Sequence, residues 1–265
     1  MPNLTELIAI GRTAEVFAWQ EDQVLKLFYE WVPDDWITHE FRIASLIQST
    51  GMDVPAVVGD IVEVEGRRGI CYQRVNGNSM LQVMESHPLS LFEQAGLLGK
   101  LHAEMHCRQG IGLPSQRKKL RFKIKDADPL PDHLKDAVLQ ILAKLPDGDQ
   151  ICHGDFHPGN ILMTSRGPIV IDWTDASSGN PLSDVARTLV LLTTAQLPLN
   201  SFFGWLVKFR RKHILDAYSQ SYFTTLQLDR SQLQSWMIIV AAARLNEKIP
   251  GENEHLIKIV RRGLN

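Results

Sequence analysis

The hydrophobic pattern changes period near Asn76-Gly77, and that change constrains the fold more than any other feature of the chain. Before it, apolar residues come in short runs: "ELIAIG", "AEVFAW", "QVLKLF", "VVGDIVEVEG" and "RRGICYQRV", divided by turn signals such as "EDQ" and "EGRRG". β-prone runs of this length between turn residues predict strands. One segment breaks the series. "WITHEFRIASLIQSTG" sets Phe41, Ala44, Leu46 and Ile47 at helical spacing and stops at Gly51. Five strands with one helix predict a small antiparallel α+β unit over residues 1–76.

Beyond Gly77 the helical period takes over. "SLFEQAGLLGKLHAEMH" places Phe92, Ala95, Leu98, Leu101 and Met105 on one face, and "PDHLKDAVLQILAKLP" is a second amphipathic segment. From Asp184 on, "SDVARTLVLLTTA", "FFGWLVKFRRKHILDAYSQSYF", "SQLQSWMIIVAAARLNEKI" and "NEHLIKIVRRGL" all read as helix. Two short apolar runs, "NILMTS" and "PIVIDW", joined at Arg166-Gly167, predict a hairpin among them. Residues 77–265 therefore form a larger, mainly helical lobe. The predicted fold class is α+β, with a small antiparallel-sheet lobe followed by a helical one.

Composition removes several function classes. With 44% apolar and 22% charged residues and a net charge of −2, the chain has no global pull toward nucleic acid or an anionic membrane. Its longest apolar run, "WMIIVAAA", is too short to cross a bilayer. "MPNLT" lacks the basic-then-apolar pattern of a secretory leader. Cys71, Cys107 and Cys152 fit neither a disulfide framework nor a zinc site, so a reducing cytoplasm is expected. The basic cluster "SQRKKLRFKIK" interleaves a single aromatic, Phe122, and reads as a solvated helix face.

Polar chemistry concentrates in "ICHGDFHPGNILM", residues 151–163. Three readings compete there: a metal cluster through His153 and His157, a catalytic loop, or a polar turn. Two histidines four apart suit zinc when a helix presents them on one face, and Pro158-Gly159 argues against a helix. A polar turn accounts for Pro-Gly-Asn and for nothing else in the chain. A loop Asp155, an Asn160 five residues later and an Asp172 after the hairpin are the parts phosphoryl transfer needs. One carboxylate receives the acceptor hydroxyl's proton. The amide oxygen and the other carboxylate suit magnesium, a hard ion that prefers oxygen ligands.

This stretch resembles the catalytic loop of the protein-kinase-like superfamily, and most closely its aminoglycoside phosphotransferase and choline kinase branch. His153-Gly154-Asp155 stands where kinases have H-R-D, Asn160 where they have the terminal Asn, and "IDW" at Ile171–Trp173 where they have D-F-G. The resemblance runs from about Gly11 to Asp184 and implies a bilobal kinase-like fold. It implies Asp155 as catalytic base, Asn160 and Asp172 as magnesium ligands, and Gly11 in "GRTAEVFAW" as the remnant of a Gly-rich loop. Lys26 in "VLKLF" is implied to bind phosphates and Glu40 to fix it, while the Gln73 carbonyl and Val75 amide in "ICYQRVNG" would meet adenine. His157 falls where many protein kinases carry a lysine beside the transferred phosphate.

The residues so marked predict an ATP- and Mg2+-dependent kinase, with GTP as the alternative nucleotide, acting on a hydroxyl of a small molecule. An aminoglycoside-like acceptor would want carboxylates, for which Glu247, Glu252, Glu254 and Asp216 are candidates. A choline-type acceptor would want an aromatic cage, for which Trp205, Tyr218, Tyr222 and Trp236 are candidates. A sugar or other metabolite stays open. A nucleotide-binding regulatory module without turnover is the alternative from another class, favoured by the single glycine at Gly11. Asp184 reads as a helix N-cap with an architectural role, and Asp175 as a turn former.

Overall fold

The computed structural model describes residues 6–194 and 202–264. Its first elements are β1 (Leu7–Ile10), β2 (Ala14–Ala18), β3 (Gln23–Phe28), α1 (Asp34–Ser49), β4 (Val62–Val64), β5 (Arg67–Gln73) and β6 (Asn78–Ser79). Then come α2 (Met80–Ser86), α3 (Leu91–Met105), α4 (Gln116–Lys125), α5 (Asp132–Lys144), β7 (Gln150–Cys152), β8 (Ile161–Thr164), β9 (Gly167–Val170) and β10 (Ser177–Gly179). The described chain closes with α6 (Pro181–Thr194), α7 (Phe202–Leu226), α8 (Leu233–Arg244) and α9 (Asn253–Leu264). The opening "MPNLT" and the end of the predicted helix "SDVARTLVLLTTA" at Ala195 lie outside the described residues.

Two compact units result, and they do not follow chain order: Met1–Met80 with Gly159–Thr174, and Leu81–Pro158 with Asp175–Asn265. In the first, an antiparallel sheet has the order β1-β2-β3-β5-β4. Strand alternation gives β3 two characters. Leu25 and Leu27 are fully buried on one face beside Cys71, whereas Phe28 packs on the other with Ile37 of α1 and Ile70. Lys26 belongs to that second face, in the middle strand of the sheet. Helix α1 opens after Pro33 with Asp34 and Asp35 in its first turn, where carboxylates oppose the helix dipole. Its buried stripe is Ile37, Glu40, Ile43 and Ile47; of the expected Phe41, Ala44, Leu46 and Ile47, only Ile47 is fully buried. Glu40 is the one carboxylate in that stripe, a position hydrophobicity alone does not mark.

The predicted hairpin forms as β8 and β9, with β6 pairing along β8. Thr164 faces Gly167 across it, so the turn is Ser165-Arg166, one residue earlier than expected. The run "VVGDIVEVEG" yields only the short β4, with Val57 making an isolated bridge to Tyr72.

In the second unit α8 is the central helix. Trp236 and every residue from Ile238 to Arg244 are buried, which is what a helix packed on all sides requires. Helix α3 buries Leu91, Gln94, Ala95, Leu98, Gly99, His102, Ala103 and Met105, while Phe92 is 40% exposed, contrary to the sequence expectation. Helix α3 lies against α7 so closely that a Cβ on Gly99 would stand 2.3 Å from the Tyr218 carbonyl oxygen. A short pair, β7 with β10, spans the two sides of the 151–163 stretch's entry. Among the described residues no helix is long and apolar enough to cross a membrane.

Candidate active site

The first unit assembles two carboxylates around one ammonium. Lys26 Nζ lies 2.6 Å from Glu40 Oε1 and 3.5 Å from Asp172 Oδ1. Burial alone would lower the Lys26 pKa, but Asp172 and Glu40 outweigh it and hold the ammonium above its ordinary range. Tyr72 also donates its hydroxyl to Glu40 Oε1, at 3.3 Å, which gives the buried carboxylate a second partner. Asp172 adopts a left-handed backbone (φ 61°) two residues after β9 ends, a conformation Asp tolerates better than most residues. Its side chain is 46% exposed, and Oδ1 accepts from the Thr174 hydroxyl at 3.0 Å.

Asn160 starts the hairpin that Asp172 ends. The Ile171 amide donates to the Asn160 carbonyl at 2.9 Å, so both residues stand at the open end of β8–β9. Register alone brings these two oxygen-bearing side chains to one end. Gly11 lies in the turn between β1 and β2, its amide donating to the Ala14 carbonyl at 2.8 Å. Gln73 is the exposed last residue of β5, and half-buried Val75 follows it in an irregular segment.

The second unit holds Asp155 and His157. His157 Nε2 lies 3.5 Å from Asp155 Oδ2, and Arg187 Nη2 lies 3.9 Å from Asp155 Oδ1. Burial pushes the Asp155 carboxyl up, but contact with His157 and the charge of Arg187 overcome this and hold it well below the usual range. The group is therefore an anion, ready to accept a hydrogen bond from a hydroxyl. His153 is fully buried, and its Nδ1 accepts from the Asp155 amide at 3.2 Å, which braces the loop from within.

The loop is tied down by Asp184, and here the N-cap reading is corrected. Asp184 lies inside the first turn of α6, and the cap is Asn180, whose Oδ1 accepts from the Leu182 amide at 2.9 Å. Asp184 accepts from the amides of His153 (2.6 Å) and Gly154 (2.8 Å), and meets the Nε2 atoms of His102 (3.1 Å) and His106 (3.4 Å). Their Nδ1 atoms lie 2.6 Å and 2.7 Å from the Tyr218 and Tyr222 hydroxyls. His102, His106 and Asp184 form the one cluster of three His, Cys, Asp or Glu side chains among the described residues that lie close enough to share a metal. Its hydrogen bonds close on themselves: each neutral imidazole can donate to the carboxylate and accept from a tyrosine. Gly154 explains the His-Gly-Asp sequence. Its φ is 80°, and a Cβ there would stand 2.7 Å from the Asp175 carbonyl oxygen.

Several charges read from sequence as surface features are engaged. Lys119 donates to the Asp175 carbonyl at 2.8 Å and pairs with its carboxylate at 3.2 Å, so Asp175 is an ion-pair partner as well as a turn residue. Lys123 pairs with Glu247 at 3.1 Å, and Arg117 hydrogen-bonds to the Leu142 and Leu145 carbonyls. This face of α4 is thus partly consumed in packing. Lys119, Lys123, Gly154, Asp175, Arg187 and Glu247 line a small recess in this unit. Arg187 was invisible in sequence, because an arginine in an amphipathic helix carries no local signal of burial.

Residues 6–224 match the sequence model described as "Phosphotransferase enzyme family" (APH). The chain belongs to this family. Its α+β fold is the kinase-like one of solved family structures. Amicoumacin kinase hAmiN, in complex with AMP-PNP, Ca2+ and Ami, superimposes with a TM-score of 0.64 at 15% identity, covering 98% of this chain and 88% of its own. Aminoglycoside-3'-phosphotransferase of type VIII gives 0.62 at 16% identity, covering 94% and 93%. A choline/ethanolamine kinase family protein from Mesorhizobium loti gives 0.59 at 17% identity, covering 98% and 86%. No curated protein matches the chain in sequence.

Proposed function

We propose that this phosphotransferase moves the γ-phosphoryl group of ATP to a hydroxyl of a small molecule, with Mg2+ as cofactor. The carrying observation is the Lys26 ammonium held by Glu40 at 2.6 Å with the Asp172 carboxylate 3.5 Å away. A half-buried ammonium fixed by one carboxylate suits the α- and β-phosphates, and a half-exposed carboxylate beside it suits a divalent cation. The donor set fits magnesium: Asn160 offers an amide oxygen and Asp172 a carboxylate, both hard oxygen ligands at one end of the hairpin. The ion would supply charge neutralisation on the phosphates. In this reading Gly11 lies along the phosphates, while the Gln73 carbonyl and the Val75 amide bond the base.

Asp155 orients the acceptor hydroxyl and takes its proton, and His157 beside it supplies a donor toward the transferring group. Catalysis comes from positioning and from charge placed before the reaction begins. The acceptor pocket of the two classes weighed from sequence is not prepared as expected. Glu252 is buried and binds Arg244 through both oxygens (2.6 and 2.8 Å), and Glu247 serves Arg187, Arg244 and Lys123. Of the four carboxylates considered for a polycation, Glu254 and Asp216 remain exposed. Tyr218, Tyr222 and Trp236 are at most 1% exposed, so no cage can form from them around a quaternary ammonium. These observations support a hydroxyl acceptor bound by other contacts than a carboxylate cluster or an aromatic box.

The test is ADP release from Mg·ATP against a panel of aminoglycosides, macrolides, choline and sugars, with nucleotide binding measured with and without Mg2+. Asp155→Asn is expected to fold and bind nucleotide as before while losing phosphotransfer by about 10²-fold or more. Full turnover in that variant removes Asp155 from the mechanism. Nucleotide binding with no turnover across the panel would instead favour a regulatory module.

A further inference from the structure

We infer that Arg187 is a positioning residue for Asp155 and that Glu247 sets Arg187 in place. The inference rests on the reading of Asp155 as the proton acceptor. Arg187 Nε donates to the Gly154 carbonyl at 3.0 Å, and Nη2 lies 2.9 Å from Glu247 and 3.9 Å from the Asp155 carboxylate. Its side chain is 12% exposed. A guanidinium is a rigid plane, so fixing two of its nitrogens fixes the third and the direction of its charge.

Helix α6 thereby grips residue 154 on both sides. Asp184 takes its amide, and Arg187, one turn later on the same helix, takes its carbonyl. Asp155 follows immediately. The separation of 3.9 Å is too long for a hydrogen bond, so Arg187 acts on Asp155 through the backbone and through its charge. Burial works against the cation, but Glu247, with Asp155 and Asp175, keeps its pKa raised.

Glu247 sits in the single 3-10 turn after α8 and is held in turn by Lys123 at 3.1 Å and Arg244 at 2.9 Å. Arg244 is locked by its two bonds to Glu252, just before α9. Charges of alternating sign thus run Asp155, Arg187, Glu247, Arg244, Glu252. The far end is anchored in the last two helices, so the segment best placed to tune the loop is the one whose sequence least resembles a catalytic motif. If the pairs served only the packing of α6, α8 and α9, no arginine would need to reach the carbonyl before Asp155.

Initial rates of ADP release from Mg·ATP, with water as acceptor and with the panel compounds, decide the matter. Arg187→Gln is expected to lower kcat about 10- to 100-fold, the range a misplaced catalytic group produces, with KM for Mg·ATP within about twofold. Arg187→Lys should recover part of kcat, since an ammonium restores the charge and can meet either the carbonyl or Glu247. A folded Arg187→Gln protein with kcat within about twofold of the parent overturns the inference. So does a fall confined to KM. If Arg187→Gln does not fold, Glu247→Gln decides: its glutamine keeps the shape and frees the far end of Arg187, and an unchanged kcat overturns the inference. Asp155→Asn run in parallel separates the two readings. Its full turnover overturns both, whereas its loss beside an unaffected Arg187→Gln overturns this one alone.

Discussion

Lys26 shows how the surroundings of one residue set its charge partners. On an isolated strand it would snorkel to water, its stem lying along apolar neighbours. In the middle of a sheet, facing α1, it instead meets Glu40 of the helix and Asp172 of the hairpin. Each partner offsets desolvation that the other could not offset alone. Glu40→Gln keeps the shape and the Tyr72 contact but removes the charge that fixes the ammonium. The expected outcome is a loss of about 1–3 kcal/mol in urea unfolding, together with weaker Mg·ATP binding. Unchanged nucleotide affinity in a folded Glu40→Gln protein would show that Lys26 does not meet phosphate. Glu247 and Glu252 teach the opposite lesson. Both look like exposed acids in "LNEKIPGENEH", yet both are committed to arginines.

At the scale of elements, the packing of α3 on α7 decides what the middle of the second unit can hold. Tight approach at Gly99 brings Tyr218 and Tyr222 to within hydrogen-bonding reach of His102 and His106. The two histidines can then meet Asp184 from α6, and Asp184 holds the loop backbone. Gly99→Ala forces its methyl against the Tyr218 carbonyl, so the helices must separate. A loss of at least about 2 kcal/mol of stability is expected, well above the fraction of a kcal/mol gained by Ala in an unhindered helix. Thermal or urea unfolding checks it, and a neutral or stabilising result would mean that the helices part without disturbing the network. Helix α1 carries the same point, since Glu40 in its buried stripe makes sense only once β3 presents Lys26.

For the molecule as a whole, the buried histidine network couples folding to pH. His102 is fully buried, and burial, with the neighbouring His106, lowers its pKa to about 3 despite the pull of Asp184. The unfolded chain binds a proton at this residue below about pH 6.5, whereas the native chain does not until near pH 3. Stability attributable to His102 is therefore complete above pH 6.5 and is lost progressively as pH falls through that window, on the order of 1.4 kcal/mol per pH unit at most. Asp184, held well below its usual range, adds a second loss that begins as pH falls through the ordinary carboxylate range and grows below it. Melting temperature should be level from pH 8 to 7 and fall steadily between about pH 6 and 4. A melting temperature that stays level to pH 4.5 would show that the network accepts a proton in the native state. Because the same network fixes the backbone of residues 153 and 154, acid should loosen that loop together with the fold.

The sequence by itself determined most of the longer elements and the spacing of the candidate site residues, but not α2, β6, β7, β10 or Arg187. Period-two runs followed by period-3.6 segments are local consequences of burying one face, so strands such as β3 and helices such as α9 were legible residue by residue. The spacing of Asp155, Asn160 and Asp172 was legible because loop and hairpin geometry are also local. Only the tertiary structure decided which charges find partners. The Lys26–Asp172 approach, the grip of Asp184 and Arg187 on residue 154, and the commitment of Glu247 and Glu252 each join residues from separate elements. Burial of a charged group depends on what the rest of the chain places beside it, and no local pattern of residues records that.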